Sequence, residues 1–203
     1  MIEKCNYQKL EAIFKKNGGF ITREDVDKAG VNSWFLSDFV RKKNLQRIAP
    51  GLYADESYPP DDHAIIQRRY PKYIFSGLSA LYLHRLTDKI PAKLEVTSPQ
   101  NYNPSRKRIA GLSVRKISDP DIYHLGISLS KTIFGNSVKV YDEERTICDV
   151  IKYRDKYDAE TFVKAIKLYI RRTNNQVKLF RYARMIGIEK ETFELLEVIN
   201  NED

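Results

Sequence analysis

The residues whose types and spacing come nearest to chemistry are Asp142, Glu143, Glu144 and Asp149, gathered around Arg145. Carboxylates this close in sequence can hold a divalent metal for nucleotidyl or phosphodiester chemistry. A plainer reading competes with it and carries more weight. Asp142 and Glu143 stand where a helix start favours negative charge, Arg145 can pair with its neighbours, and Cys148 and Ile151 are spaced for burial. Elsewhere His63, His84 and His124 are scattered, and Cys5 and Cys148 lie far apart with no second pair, so the thiols read as free and inert. No glycine-rich phosphate loop, nucleophile elbow or His–Cys metal spacing occurs. The expectation is a binder with no catalytic residue, no metal and no cofactor; a metal-dependent nuclease or nucleotidyl enzyme is the alternative.

The second kind of chemistry is cationic. Lys and Arg number 35 against 27 Asp and Glu, a formal charge of +8, which suggests a polyanionic partner, nucleic acid before membrane. Between Thr161 and Ile188 there is no acidic residue, while Lys164, Lys167, Arg171, Arg172, Lys178, Arg181 and Arg184 alternate with apolar Phe162, Ile166, Ile170 and Phe180. Seven like charges repel one another unless something anionic meets them, so these residues are expected to form a second binding face. Arg106, Lys107 and Arg108 form a compact basic cluster, read evenly as a solvated loop or as a phosphate contact.

The elements that must position these groups follow from periodicity and caps. From Asp142 onward the pattern is helical, at Ile147 to Tyr153, Ala159 to Arg172, Val177 to Ile186 and Lys190 to Ile199. The middle of the chain alternates as strands at Lys72 to Phe75, Lys93 to Thr97, Leu112 to Ile117, Ser128 to Phe134 and Ser137 to Tyr141, with a helix over Ser79 to Leu86. Leu10, Ile13 and Phe14 give residues 6 to 17 an apolar side that Gly18-Gly19 closes.

From Phe20 to Ala54 three local signals form one module. Thr22 caps a short helix that Gly30 ends. Asn32 and Ser33 start another, which sends Phe35, Leu36, Phe39 and Val40 inward and leaves Asn32, Ser33, Trp34, Ser37, Asp38 and Arg41 facing outward. Two short alternating runs then flank Pro50-Gly51, a turn dipeptide. This is the pattern of a winged helix-turn-helix, whose second helix enters the major groove while nearby cations hold the backbone. Arg41, Lys42, Lys43 and Arg47 sit where that helix meets the wing.

The fold class expected is α+β: the winged helix-turn-helix over residues 1 to 56, then over residues 57 to 203 a second α+β domain with a small mixed sheet and a helical carboxy-terminal third. The polar, proline-containing Asp55 to Asp62 reads as the connector. No apolar run is long enough to span a bilayer, and Met1 to Asn6 lacks a signal-peptide core, so a soluble, cytoplasmic protein without a membrane partner is expected.

The chain also resembles, nearly end to end, the AbiEi family of antitoxins and transcriptional regulators from bacterial type IV toxin–antitoxin modules linked to abortive phage infection. The carrying residues are Leu45-Gln46-Arg47-Ile48-Ala49-Pro50-Gly51-Leu52-Tyr53, then Phe75-Ser76-Gly77-Leu78-Ser79-Ala80-Leu81-Tyr82-Leu83-His84, then Ile90-Pro91-Ala92-Lys93-Leu94-Glu95-Val96-Thr97, then Val140-Tyr141-Asp142-Glu143-Glu144-Arg145-Thr146-Ile147-Cys148-Asp149.

The resemblance implies a winged helix that represses its own operon by binding inverted repeats in double-stranded promoter DNA, with a dimer on the DNA left open. It also implies a carboxy-terminal domain that opposes a cognate nucleotidyltransferase toxin, without a stable complex being required. Carried onto this chain, the recognition-helix positions are Asn32, Ser33, Trp34, Ser37 and Arg41, with Arg47 and the Pro50-Gly51 tip near the backbone, although Pro50 stands where many relatives have a small or basic residue. Thr22, Lys42 and Lys43 join the expected DNA-contacting set from the chain's own pattern. The basic residues read above from charge pattern, Arg106, Lys107, Arg108, Lys164, Lys167, Arg171, Arg172, Lys178, Arg181 and Arg184, are the expected candidates for the face against the toxin or for a second nucleic-acid face. The chain is on the short side for the family, which keeps a stand-alone regulator open, and a non-enzymatic protein-binding adaptor is the third alternative.

Overall fold

A computed structural model describes residues 2–56, 61–104, 111–172 and 175–200. The chain divides into two compact units, Met1–Arg68 with Lys131–Ser137, and Arg69–Ser130 with Val138–Asp203. The first unit thus includes most of the helix after the wing and a short turn from the middle of the chain, beyond the expected residues 1 to 56. The basic cluster Arg106, Lys107 and Arg108 lies outside the described residues.

The first unit runs α1 (Ile2–Lys16), β1 (Phe20–Thr22), α2 (Arg23–Lys28), α3 (Ser33–Lys42), β2 (Gln46–Ala49) and β3 (Leu52–Ala54). That is the element order of a winged helix-turn-helix, and the strands pair antiparallel in the order β1-β3-β2. β1 is an addition to the expected elements. Its three residues are too few for alternation to register, and Phe20 and Ile21, both fully buried, pair with Ala54 and Tyr53 more than thirty residues onward.

Thr22 Oγ1 accepts the Asp25 amide at 3.0 Å and Asn32 Oδ1 accepts that of Trp34 at 2.9 Å, so both expected caps are formed. Each satisfies an amide that the helix itself leaves without a partner. Leu10, Phe14, Ile21, Val26, Leu36 and Phe39 make the core under α3. Burying each such side chain contributes about 1.5–3 kcal/mol. One position departs from the periodicity reading: Asp38, expected to face outward, is only 7% exposed. Its carboxylate is covered by the Arg41 and Lys42 side chains, which reach back over it from the next turn.

The second unit holds most of a five-stranded sheet in the order β6-β5-β4-β8-β7, built from β4 (Ile74–Phe75), β5 (Leu94–Pro99), β6 (Leu112–Ile117), β7 (Ile127–Lys131) and β8 (Ser137–Tyr141). β4 runs antiparallel to β5 and parallel to β8, and β5 is parallel to β6, so the sheet is mixed. Preceding it is α4 (Asp62–Arg69), which straddles the limit of the units. Between strands stand α5 (Gly77–Leu83) and α6 (Pro120–His124), the latter capped by Asp119.

α5 starts at Gly77, ahead of the expected Ser79, because a side chain from β5 caps it. Glu95 Oε2 accepts the Leu78 amide at 3.1 Å, and Ser79 Oγ accepts the Glu95 amide at 2.8 Å. Gly77 has φ +55, and a Cβ there would fall 1.9 Å from Glu95 Oε2. Only glycine permits that approach.

The carboxy-terminal third is helical: α7 (Glu143–Lys152), a 3-10 turn at Arg154–Lys156, α8 (Ala159–Arg172), α9 (Gln176–Ile186) and α10 (Glu189–Asn200). α7 begins before the expected Ile147 because Asp142 is its cap, accepting the Arg145 amide at 2.9 Å. Leu81, Ile147, Val150, Phe162, Ile166 and Leu179 interlock in one core. The fold is therefore α+β, with an amino-terminal module of helices and strands, a mixed sheet and a helical end.

Candidate nucleic-acid interface

α3 presents its first turn and one long side to solvent. Asn32, Ser33, Trp34 and Ser37 are exposed, Trp34 at 59%, and the Ser37 hydroxyl rests on the Ser33 carbonyl at 3.3 Å. Trp34 meets Phe35 edge to face with ring centroids 5.0 Å apart. An indole held on one side by a half-buried ring offers a flat apolar surface and an N–H donor, both suited to base edges or sugar.

At the other end of α3 the cations are organised by carboxylates. Arg41 Nη2 lies 2.5 Å and Lys42 Nζ 2.9 Å from Asp38, and Lys43 Nζ lies 3.0 Å from Glu11 on α1. Lys42 also donates to Tyr7 Oη at 3.1 Å. Arg41 remains 81% exposed despite its ion pair, so the pair aims the guanidinium without removing it from solvent. The Lys42 ammonium, and with it the Arg41 guanidinium, holds the Asp38 carboxyl below its usual range against the opposing effect of burial. Arg47 is exposed on β2, opposite Tyr53. Thr22 stands apart from this set: it is buried, and its hydroxyl serves α2, giving its proton to Asp25 Oδ2 at 2.7 Å.

In the second unit Asp142, Glu144 and Asp149 are engaged by cations. Arg145 is 1% exposed; its Nε donates to Asp149 Oδ1 at 3.1 Å, its Nη1 to the Ile122 and Leu125 carbonyls at 2.5 and 3.1 Å, and its guanidinium lies 4.3 Å from the centre of the Tyr141 ring. Asp149, 2% exposed, faces Arg115 of β6 at 3.3 Å on its other oxygen. Lys178 bridges Asp142 and Glu144 at 3.1 and 2.7 Å. Burial works against its charge, yet those two carboxylates outweigh that and raise its pKa. Among the described residues no group of three or more His, Cys, Asp or Glu side chains is placed to hold a metal ion. Cys148 is buried, its thiol pushed up to about 12 by desolvation, whereas Cys5 is exposed.

Three of the seven cations of α8 and α9 find counter-charges outside their own stretch of sequence. Lys164 pairs with Asp88 at 2.7 Å and Arg184 with Glu189 at 2.5 Å, Lys178 is held as above, and Arg172 donates to the His84 carbonyl at 3.0 Å. Arg181 lies 5.4 Å from the Tyr182 ring centre, and Arg171 is exposed at the end of α8. The repulsion argued from sequence is thus relieved at Lys164, Lys178 and Arg184. Asp38 as an organising group was within reach of the sequence, since it stands three and four residues before Arg41 and Lys42. The partnerships of Arg115 with Asp149 and of Lys178 with Glu144 had no local signal.

Among solved structures, the crystal structure of RV2827C protein from Mycobacterium tuberculosis is similar in fold, with a TM-score of 0.52 at 13% identity over 89% of this chain and 71% of that one. No curated protein matches the sequence. No helix among the described residues is long and apolar enough to cross a membrane. The stretch that holds most of α1 and all of α2, α3 and the wing is matched by a family model, and the resemblance read from the sequence is met there: residues 8–54 match the family described as "Transcriptional regulator, AbiEi antitoxin".

Proposed function

We propose that this protein is a cytoplasmic DNA-binding repressor that autoregulates a toxin–antitoxin operon and acts as a type IV antitoxin against a nucleotidyltransferase toxin. The observation that carries the reading is the exposed side of α3, where Asn32, Ser33, Trp34, Ser37 and Arg41 share a surface next to Arg47 in a stretch matched to a regulator family. Polar and aromatic groups at the start of a helix read base edges, and cations at its far end and on the wing hold phosphates. Lys42 and Lys43 belong to the second group, while Thr22 acts from behind by setting α2. Repeats in the promoter would be met by two copies of the chain.

The opposing activity against the toxin is assigned to the second unit. On α8 and α9 the exposed cations Arg171, Arg172, Arg181 and Arg184 are the surface through which an acidic partner or a nucleic acid would be met; Lys164, Lys167 and Lys178 lie on the same two helices. Asp142, Glu144 and Asp149 are read as a structural network because each is tied to Arg145, Arg115 or Lys178.

The deciding experiment is binding to the DNA immediately upstream of the gene, against a scrambled duplex of equal length, at several salt concentrations. A preference for the upstream duplex is expected, and Arg41→Ala or Arg47→Ala should weaken it and reduce the dependence of log K on log salt by about one unit each. Equal affinity for both duplexes, or no change in either variant, overturns the repressor reading. For the second unit, Arg171→Glu with Arg172→Glu should abolish neutralisation of the toxin while DNA binding persists.

A further inference from the structure

We propose that a cleft in the first unit, away from the exposed side of α3, binds a phosphate-type oxyanion. The cleft encloses about 320 Å³ and is lined by Lys16 at the end of α1, Gln67 and Arg68 in the last turn of α4, and Lys131, Asn136 and Ser137 from the turn at residues 131–137. No carboxylate lines it. That volume is at the lower end of small-ligand sites, enough for a phosphate with part of an attached sugar.

Two of its three cations lack a counter-charge among the described residues. Lys16 and Lys131 are exposed, and neither has a carboxylate partner among the described residues; Lys131 Nζ donates instead to the neutral Ser137 hydroxyl at 2.7 Å. Arg68 is oriented by an ion pair between its Nη1 and Asp25 Oδ1, while Asp25 Oδ2 is occupied by Asn17 Nδ2 at 3.0 Å and Thr22 Oγ1 at 2.7 Å. A guanidinium carries several N–H donors, so one bond to Asp25 aims it without exhausting it. Ammonium and guanidinium groups together match the charge and the several acceptor oxygens of a phosphate.

The wall is built rather than incidental. Asp61, 2% exposed, accepts Thr132 Oγ1 at 2.5 Å, Asn136 Nδ2 at 2.8 Å and the Ala64 amide at 3.1 Å. Asn136 Nδ2 also reaches the Asn17 carbonyl at 3.0 Å, and its amide donates to Thr132 Oγ1 at 3.2 Å. Gly135 has φ +81, and a Cβ there would meet nothing within 4 Å, so this part of the turn is open. A satisfied buried network of this kind holds the turn in one arrangement before any ligand arrives.

The shared chemistry has two sources, a DNA phosphodiester and a soluble phosphorylated molecule such as a nucleotide, and the cleft stands whether or not α3 reads DNA. The test is an NMR titration of the full chain with inorganic phosphate at constant ionic strength, chloride being exchanged for phosphate. The amides of Gln67, Arg68, Gly135, Asn136 and Ser137 are expected to move on one saturating curve. The double variant Lys16→Gln, Lys131→Gln should lose about ten-fold or more in that affinity, the loss of two charge-assisted contacts. No saturating movement, or an unchanged affinity in the variant, overturns the proposal.

Duplex DNA and AMP, added in separate titrations, then distinguish the sources. A shallower salt dependence of DNA binding in the variant, by about one to two units, identifies the DNA backbone as the source. An unchanged slope with AMP saturating the same amides identifies the soluble one. Failure of Arg41→Ala to weaken DNA binding bears on α3 alone.

Discussion

Two Arg–Asp pairs, each about one helical turn apart in sequence, meet opposite fates in this molecule. Asp38 and Arg41 sit on α3 with the guanidinium 81% exposed; Arg145 and Asp149 sit on α7, at 1% and 2% exposure. The local pattern is almost the same, and the surroundings decide what it does. On α3 the carboxylate steers cations that stay in solvent, where an anionic partner can still take them. On α7 the guanidinium is enclosed by two carbonyls and the Tyr141 ring, and Asp149 is shared with Arg115. The lesson is that charge spacing along a helix says who can pair, while burial says whether the pair is architecture or an instrument.

The strongest way to break the comparison is Arg145→Ala. It removes one partner of a buried pair and leaves Asp149 Oδ1 and two carbonyls without their donor, with Arg115 alone facing the carboxylate, so unfolding in urea should show a loss of about 3 kcal/mol. A change below about 1 kcal/mol would mean that the α7 network is no more structural than a surface pair.

Thr22→Ala comes next. It deletes the α2 cap and the hydroxyl bond to Asp25, and should cost about 1–2 kcal/mol in the same assay. DNA affinity extrapolated to the folded fraction should be retained, which separates a positioning role from a contact.

Arg41→Ala should do the reverse, moving the urea midpoint only slightly because Lys42 still pairs with Asp38, while lowering DNA affinity and reducing the salt slope by about one unit. A variant that unfolds readily yet binds normally would exchange the two roles assigned here.

The smallest effect is in acid. Because the folded pKa of Asp38 lies below its ordinary 3.8, the pair contributes stability that is complete above about that value. It is lost as pH falls through the folded pKa. The Asp38→Asn variant should therefore lack a small part of the acid-induced loss below pH about 4 and match the parent's pH dependence at neutrality. A difference in slope near pH 7 would contradict the assignment.

Much of the first unit was legible because its signals are local. Thr22 and Asn32 announce helix starts through the bonds that short polar side chains make within two or three residues, and both bonds are formed. Leu36 and Phe39 mark the buried side of α3 by spacing alone. The same local rule failed for Asp38, because a helical wheel assigns a side and does not show which longer neighbours fold back over it.

The second unit shows the other limit. The stretch from Thr161 to Ile188 reads as seven unopposed cations, yet Asp88, Asp142, Glu144 and Glu189 arrive from other elements to meet three of them. Nothing in the spacing of α8 or α9 announces those carboxylates. The site expected from Arg106, Lys107 and Arg108 remains outside the described residues.

The cleft at Lys16, Arg68 and Lys131 is the clearest case of convergence without a motif. Its cations come from three separated segments, and the Asp61 bonds to Thr132 and Asn136, with the Asn136 bond to the Asn17 carbonyl, fasten the distant turn within the first unit.

The sequence by itself determined the Thr22 and Asn32 caps, the helix and strand order apart from β1 and α6, and the apolar faces, since these depend on interactions within a few residues of chain. Only the tertiary structure decided which charges are architectural and which are offered to a partner, because burial and counter-charge are set by groups far away in sequence that the fold alone brings near.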